Sequence, residues 1–233
     1  ESSFNEIRQF SGDVSHELKT PLTVIRGEIE IALRGKRDAE EYRRTLESVL
    51  EEAGKLTNII EDLLLLSRID TLGRSITMRE VELDSVVMAA YEDSMTFLSG
   101  KKLNISIRRL DETRVTGEPG LLKRAFVNLL HNAIKYTPDG GSVEIELFPG
   151  DAAGEAEHKG PCFKIRDSGI GIPQRHLSYI FNRFYRVSTS RSSKDGGKGL
   201  GLTIVKRILD LHGARIRVES RKGQGTVFYV FFP

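Results

Sequence analysis

Residues 119–136 read PGLLKRAFVNLLHNAIKY, and the two sides of this stretch differ in kind. On a helix, Leu122, Phe126, Leu129, Leu130 and Ala133 fall on one side. Asn128, Asn132 and Lys135 fall opposite, because residues four and seven positions on return to nearly the same direction. An amide oxygen can ligate Mg²⁺, and an ammonium neutralises phosphate oxygens. Mg²⁺ keeps several waters and takes few protein ligands, so one Asn plus nucleotide phosphates makes a sufficient shell. Taken alone, the pattern also fits an ordinary amphipathic helix with a wet face.

Around this helix the texture is mixed α/β. Short β-rich runs lie at 75–81, 103–108, 142–148, 162–166, 215–219 and 226–232, and helical patterns at 83–98 and 200–211. Asp151 to Gly160 reads as a polar loop at a hairpin tip. Ser188 to Gly199, rich in Ser, Gly, Lys and Arg, has no period and is expected to be mobile when empty.

Towards the N-terminus the period becomes purely helical. Ile7, Val14, Leu18, Leu22, Ile25, Ile29 and Leu33 form one stripe. Leu46, Val49, Ala53, Leu56, Ile60 and Leu63 alternate steps of three and four, a heptad seam. Gly35 and the charged residues from Lys36 to Glu41 supply the turn. Such a hairpin is too thin to bury both stripes, so pairing with a second copy into a four-helix bundle is expected. The expected division is 1–70 for the hairpin, 71–75 for a linker around Gly73, and 76–233 for the α/β part.

Composition agrees with a globular chain. Of 233 residues, 35 are Lys or Arg and 33 Asp or Glu, a net charge of +2 that gives no case for nucleic acid as a partner. With 39% hydrophobic and 29% charged residues, collagen-like, disordered and disulfide-scaffold classes are excluded. The lone Cys162 forms no intrachain bridge and belongs to no zinc-spaced cluster, which favours a reducing compartment. No apolar run approaches the roughly 18 residues of a membrane span, and no signal peptide is visible. The chain begins at Glu1 rather than Met, as expected of a piece of something longer.

Several short segments suit chemistry. His16 lies about 160° around the first helix from Leu18 and faces solvent. Glu17 is adjacent, Thr20 shares the outward face, and Pro21 is expected to loosen the helix. A carboxylate beside an exposed imidazole takes the proton from one ring nitrogen and frees the other to attack. Asp167-Ser168-Gly169-Ile170-Gly171-Ile172-Pro173 follows a β run, and its alternate glycines let a flat ligand approach the backbone. A carboxylate there suits an exocyclic amine such as that of adenine. Gly196-Gly197-Lys198-Gly199-Leu200-Gly201-Leu202 opens a helix and presents amides to an anion, in neither the Walker order nor the dinucleotide setting. Gly223-Gln224-Gly225-Thr226 is a hairpin turn. Phe181 and Phe184 are expected in the core, with Arg186 reaching into the site.

In this order the segments resemble a sensor histidine kinase of two-component signalling, over essentially the whole chain. Phe10 to Leu22 resembles the H box, Asn128 to Tyr136 the N box, and Phe181 to Arg186 the F box. Asp167 to Pro173, Gly197 to Leu202 and Gly223 to Thr226 resemble the three glycine boxes. The resemblance implies an all-α hairpin forming a dimeric four-helix bundle, followed by an α/β sandwich ATP-binding domain of Bergerat type, a mixed sheet with helices on one face. It implies ATP and Mg²⁺ as cofactors, His16 as phosphoacceptor and Glu17 as its acid–base partner. Thr20 would serve a phosphatase action on a response regulator. Asn132 would hold Mg²⁺, supported by Asn128, with Lys135 near the phosphates and Tyr136 lining the adenine pocket. Asp167 would bind the adenine amine between Gly169 and Gly171. Gly197, Lys198, Gly199, Leu200 and Gly201 would border the phosphates, and Arg186 would approach the last of them. Lys198 stands where the family often has Thr, and Ala214 where Gly is common. The implied partners are a second copy and a receiver domain, and the implied place is the cytoplasmic portion of a membrane-anchored bacterial protein. The rival readings are an ATPase of the same fold without histidine transfer, and a dimeric pseudokinase scaffold.

Overall fold

The computed structural model describes residues 2–35, 37–98, 100–150, 160–187 and 198–233. The loops expected at 151–160 and 188–199 lie largely outside these residues, as does Gly197. Internal contacts divide the chain into two units, Glu1–Ser67 and Arg68–Pro233.

The first unit is a helical hairpin of α1, Ser2–Leu33, and most of α2, Ala39–Leu72. A reciprocal capping box starts α2: Glu41 N–H donates to Asp38 Oδ1 at 2.7 Å, and Asp38 N–H to Glu41 Oε2 at 3.3 Å. Pro21 is buried and α1 runs through it without a break, so the expected loosening does not interrupt the helix. Ala32, Ile59 and Leu66 are buried. Leu22, Ile29, Leu46, Ile60 and Leu64 are exposed, as are Leu33 at 79% and Leu50 at 73%. A row of large apolar side chains on both helices thus remains in water within one copy, which is unusual for a stable surface.

The second unit begins with the end of α2 and a 3-10 turn at Gly73–Ser75. Its elements are β1 (Arg79–Glu82), α3 (Leu83–Ser94), β2 (Asn104–Leu110), β3 (Arg114–Gly117), α4 (Pro119–Tyr136) and β4 (Ser142–Phe148). After these come β5 (Cys162–Asp167), α5 (Gly201–Leu211), β6 (Arg215–Ser220) and β7 (Thr226–Phe231). The main sheet has the order β2-β4-β5-β7-β6, with β2 parallel to β4 and every other pair antiparallel. Val143, Ile145 and Leu147 alternate into the core, as a half-covered sheet requires. Against the sheet lies α4, whose Phe126 ring sits 4.3 Å from Phe163 and 6.4 Å from Phe232. Phe126 is wholly buried and worth on the order of 2–3 kcal/mol by area.

The unforeseen strand is β3, which pairs antiparallel with β1 alone. Four residues are too few for alternation to show. The pattern read as one helix over 83–98 ends at Ser94 and tightens to a 3-10 turn at Met95–Leu98.

Candidate functional site

On α1, His16 is exposed, Glu17 half-buried and Thr20 exposed, and Thr20 Oγ1 donates to the His16 carbonyl at 3.2 Å. That bond is backbone tethering of the Thr side chain, one turn along the helix. The imidazole is thus presented to solvent, with the half-buried Glu17 next to it in the chain.

In the second unit the polar groups of α4 meet the ends of β5 and α5. Glu118 starts α4 by accepting from Gly120 N–H at 3.2 Å and Leu121 N–H at 2.6 Å, with Pro119 in the first turn where its missing N–H costs nothing. Asn128 donates to the Arg124 carbonyl at 2.9 Å, and a Cβ on Gly201 would lie 2.9 Å from its Oδ1. The glycine therefore lets the start of α5 close onto α4. Asn132 is half-buried and makes no side-chain hydrogen bond among the described residues. Lys135 lies with Nζ 5.6 Å from the ring centre of Tyr136. Burial raises the Tyr136 phenol above its usual range, and the charge of Arg186, itself exposed, opposes that shift.

Asp167 ends β5 and is 8% exposed. Its Oδ1 accepts from Gly169 N–H at 2.8 Å and Thr226 N–H at 3.2 Å, while Oδ2 accepts nothing among the described residues. Burial raises its pKa, and the two backbone bonds work against that rise. One oxygen is thus committed to holding the turn and the other remains for a donor. Gly169 backs onto the Tyr136 carbonyl, where a Cβ would come within 2.5 Å. Gly171 has φ +64, and a Cβ there would strike the Arg221 carbonyl. Gly225 has φ +79, and its Cβ would strike the Asp167 carbonyl. The first and third glycine segments are thus one interlocked structure, joined also by Gly223 N–H donating to the Ile170 carbonyl at 2.7 Å.

The remaining segments meet at α5. Leu200 is buried, Lys198, Gly199 and Gly201 are half-buried, and Gly197 lies outside the described residues. Phe184 N–H donates to the Gly199 carbonyl at 3.0 Å, and Phe184 itself has φ +59. A bulky residue held there is strained by about 1–2 kcal/mol and marks a joint rather than filler. This corrects the core expectation for Phe181 and Phe184. Both are half-buried in a turn that Thr203 Oγ1 ties to α5 at 3.0 Å, and Ile180 is buried instead.

Residues 117–233 match the model of the histidine kinase-, DNA gyrase B- and HSP90-like ATPase family, and residues 6–72 match the His Kinase A (phospho-acceptor) domain. The chain belongs to the histidine kinases. The phosphate regulon sensor protein PhoR of Pseudomonas aeruginosa is 36% identical over 226 residues, covering 97% of this chain and 49% of PhoR. The signal transduction histidine-protein kinase ArlS of Staphylococcus haemolyticus is 34% identical over 242 residues, covering 100% of this chain and 50% of ArlS. The chain spans about half the length of the curated relatives it matches. Histidine kinase ThkA, solved in complex with response regulator TrrA, shares the fold with a TM-score of 0.71 at 22% identity, over 100% of this chain and 63% of that one. The second unit of this histidine kinase is accordingly an ATP-binding module, and the first carries the phospho-acceptor domain.

Two supports of this module carry no motif, and one of them is a histidine that reads from the sequence as structural or solvated. His212 accepts from Glu118 N–H at 3.0 Å through Nε2 and donates to the Ile208 carbonyl at 2.6 Å through Nδ1, so it joins the end of α5 to the start of α4. Ser220 Oγ accepts from Ile172 N–H at 2.7 Å and braces the first glycine segment. Neither belongs to a motif with a chemical reason of its own.

Proposed function

We propose that this chain is the kinase core of a sensor histidine kinase. It uses MgATP to phosphorylate His16, passes the phosphoryl group to an aspartate of a response regulator, and hydrolyses that aspartyl phosphate through the Glu17–Thr20 face. One observation carries the reading. A solvent-facing histidine beside a carboxylate shares a chain with a buried carboxylate whose second oxygen is open inside a glycine-lined turn.

In the first step the free ring nitrogen of His16 attacks the γ-phosphorus of ATP. The bond from that phosphorus to the bridging oxygen breaks, ADP leaves with the electron pair, and the ring N–H proton passes to Glu17. Asp167 Oδ2 accepts from the adenine amine, Gly169 and Gly171 let the turn that carries it close onto the Tyr136 and Arg221 carbonyls, and Tyr136 lines the edge. Lys135 faces the phosphates, Gly197, Lys198, Gly199, Leu200 and Gly201 border them, and Arg186 neutralises the terminal one. Asn132, with an uncommitted amide, fits Mg²⁺, and Asn128 supports it through the contact with Gly201. Mg²⁺ takes few protein ligands, so phosphate oxygens and water would supply the rest of its shell. When bound, the metal neutralises charge on the phosphates.

The exposed apolar rows of α1 and α2 are the surface on which a second copy completes a four-helix bundle. The response regulator is the partner for the His16 face; ThkA, which shares the fold, was solved in complex with the response regulator TrrA. No described helix is long and apolar enough to cross a membrane. We assign the chain to the cytoplasmic portion of a longer, membrane-anchored protein.

Incubation with γ-labelled MgATP tests the reading. Wild type is expected to take up label that is acid-labile and alkali-stable, and His16→Gln and Asn132→Ala to take up none. ATP hydrolysis without label in the wild type would replace the kinase by a plain ATPase. No nucleotide binding would leave a dimeric scaffold.

A further inference from the structure

Helix α4 carries half of the nucleotide site, so what fixes its C-terminal end matters. The last ladder bond there ends on Ala133, and the four carbonyls from Ile134 to Thr137 must find donors outside the regular helix ladder. The Ala133 carbonyl accepts from Thr137 N–H at 3.1 Å and from Thr137 Oγ1 at 2.6 Å. The Tyr136 carbonyl accepts from Ile170 N–H, in the first glycine segment, at 3.1 Å. The other three converge on one ammonium: Lys101 Nζ donates to Ile134 at 3.0 Å, to Lys135 at 2.8 Å and to Thr137 at 3.2 Å. All three N–H bonds of that group are thereby committed, at a helix end where positive charge is favoured.

The approach of Lys101 is itself fixed by backbone. Gly100 turns with φ +85, and Lys101 N–H donates to the Leu98 carbonyl at 2.7 Å. Lys102 N–H reaches Asp139 Oδ1 at 3.2 Å, while Gly140 N–H donates to the Lys102 carbonyl at 2.7 Å. A strap from Gly100 to Lys102 therefore grips the end of α4 from one side, and the glycine turn grips it from the other. Tyr136 lies between these two grips, and the Gly169 backbone stands against its carbonyl.

We propose that Lys101 is a positioning residue for nucleotide binding: its ammonium sets where the end of α4 meets the Asp167–Gly171 turn, and so sets the width of the adenine edge. The proposal rests on the kinase reading above. Without the ammonium, three carbonyls lose their donor and only the Ile170 bond locates Tyr136 against the turn. The adenine edge makes the same contacts before and during phosphoryl transfer, so its loss raises KM and spares kcat.

The test uses the full chain and two readouts, displacement of a fluorescent ATP analogue by MgATP and the kinetics of His16 labelling. Lys101→Met is expected to weaken MgATP binding and raise KM about tenfold, with kcat within about twofold of wild type. Lys101→Arg, which keeps a cation with several donors, is expected to recover affinity to within about threefold. If Lys101→Met does not fold, Lys101→Gln is measured in its place with the same direction expected. Unchanged affinity in the folded neutral variant, a fall in kcat at constant KM, or equal loss in the Arg variant would overturn the proposal while the wild type still labels. A wild type that binds no nucleotide would instead overturn the kinase reading beneath it.

Discussion

Gly223 and Gly225 offer a matched pair that separates backbone strain from close approach. Both have φ +79, so alanine at either position carries the same left-handed strain, about 1–2 kcal/mol. Some of that is offset, by about 0.4–1 kcal/mol, because alanine orders the unfolded chain. Around Gly223 a Cβ meets nothing within 4 Å, so Gly223→Ala should cost a net of about 1 kcal/mol. At Gly225 the Cβ strikes the Asp167 carbonyl and lies 3.0 Å from Ser168 Cα, both backbone atoms that no rotamer change can move. Relief requires the turn to shift, a cost of about 1–3 kcal/mol or more on top of the strain. The same shift draws Thr226 N–H away from Asp167 Oδ1, the 3.2 Å bond that fixes the carboxylate. The midpoint for thermal unfolding of the second unit, followed by tyrosine fluorescence, should fall by about 2–4 °C for Gly223→Ala and about 4–16 °C for Gly225→Ala. Nucleotide displacement should be within twofold of wild type for the first and weakened at least about tenfold for the second. Equal midpoints for the two variants would refute the close approach, and with it the claim that the third glycine segment holds Asp167.

Three further outcomes follow from the same geometry. Asp167→Asn retains an oxygen for Gly169 and Thr226 N–H but places an amide donor where the adenine amine needs an acceptor. Its midpoint at pH 7 should hold or rise, since burial penalises the charged carboxylate, while nucleotide affinity drops by about 100-fold or more in displacement titration. His212 has its pKa lowered chiefly by burial, with the Ile208 carbonyl and Glu118 charge opposing. Its contribution to stability is therefore complete above the unfolded value, 6.5, and is lost as pH falls through the lower folded value. His131, lowered by burial and by Lys135, adds the same sign, so His212→Gln should flatten part of the decline in midpoint from pH 7 to 5 in a pH series. Finally, Leu46→Glu with Leu50→Glu should leave the hairpin helical by circular dichroism. It should raise the dimer dissociation constant at least about 100-fold by sedimentation.

What could be read in advance follows from how local each constraint is. The bounds of α4 and β4 are visible in the sequence because helical period, alternation and punctuation coincide there. The exposed imidazole of His16 is equally local, since a helix fixes direction from spacing alone. By contrast β3 exists only because β1 pairs with it, and its four residues carry no period of their own. Phe184 was assigned to the core from its ring, but its backbone is set by a hydrogen bond to Gly199, fifteen positions on in the chain and unreadable from either residue. Lys101 and His212 fail to announce themselves for the same reason: a lysine before a strand and a histidine after a helix are ordinary until the carbonyls and the amide they serve are in view.

The motifs and their supports therefore divide the work of the ATP-binding unit in a physically necessary way. Groups that are to face a ligand must be left with unused hydrogen-bonding capacity, as Asp167 Oδ2 and the Asn132 amide proposed for that role are, and such groups cannot also anchor the chain. Anchoring then falls to atoms whose capacity is exhausted within the protein: Asp167 Oδ1 with two amides, Lys101 Nζ with three carbonyls, and both nitrogens of His212. A desolvated carboxylate with one open oxygen is unfavourable until a donor arrives. Satisfying that oxygen should accordingly appear as tighter nucleotide binding, and through it as a larger stabilisation of this unit at a given nucleotide concentration. The rigid supports are what allow the empty unit to hold that carboxylate in place meanwhile.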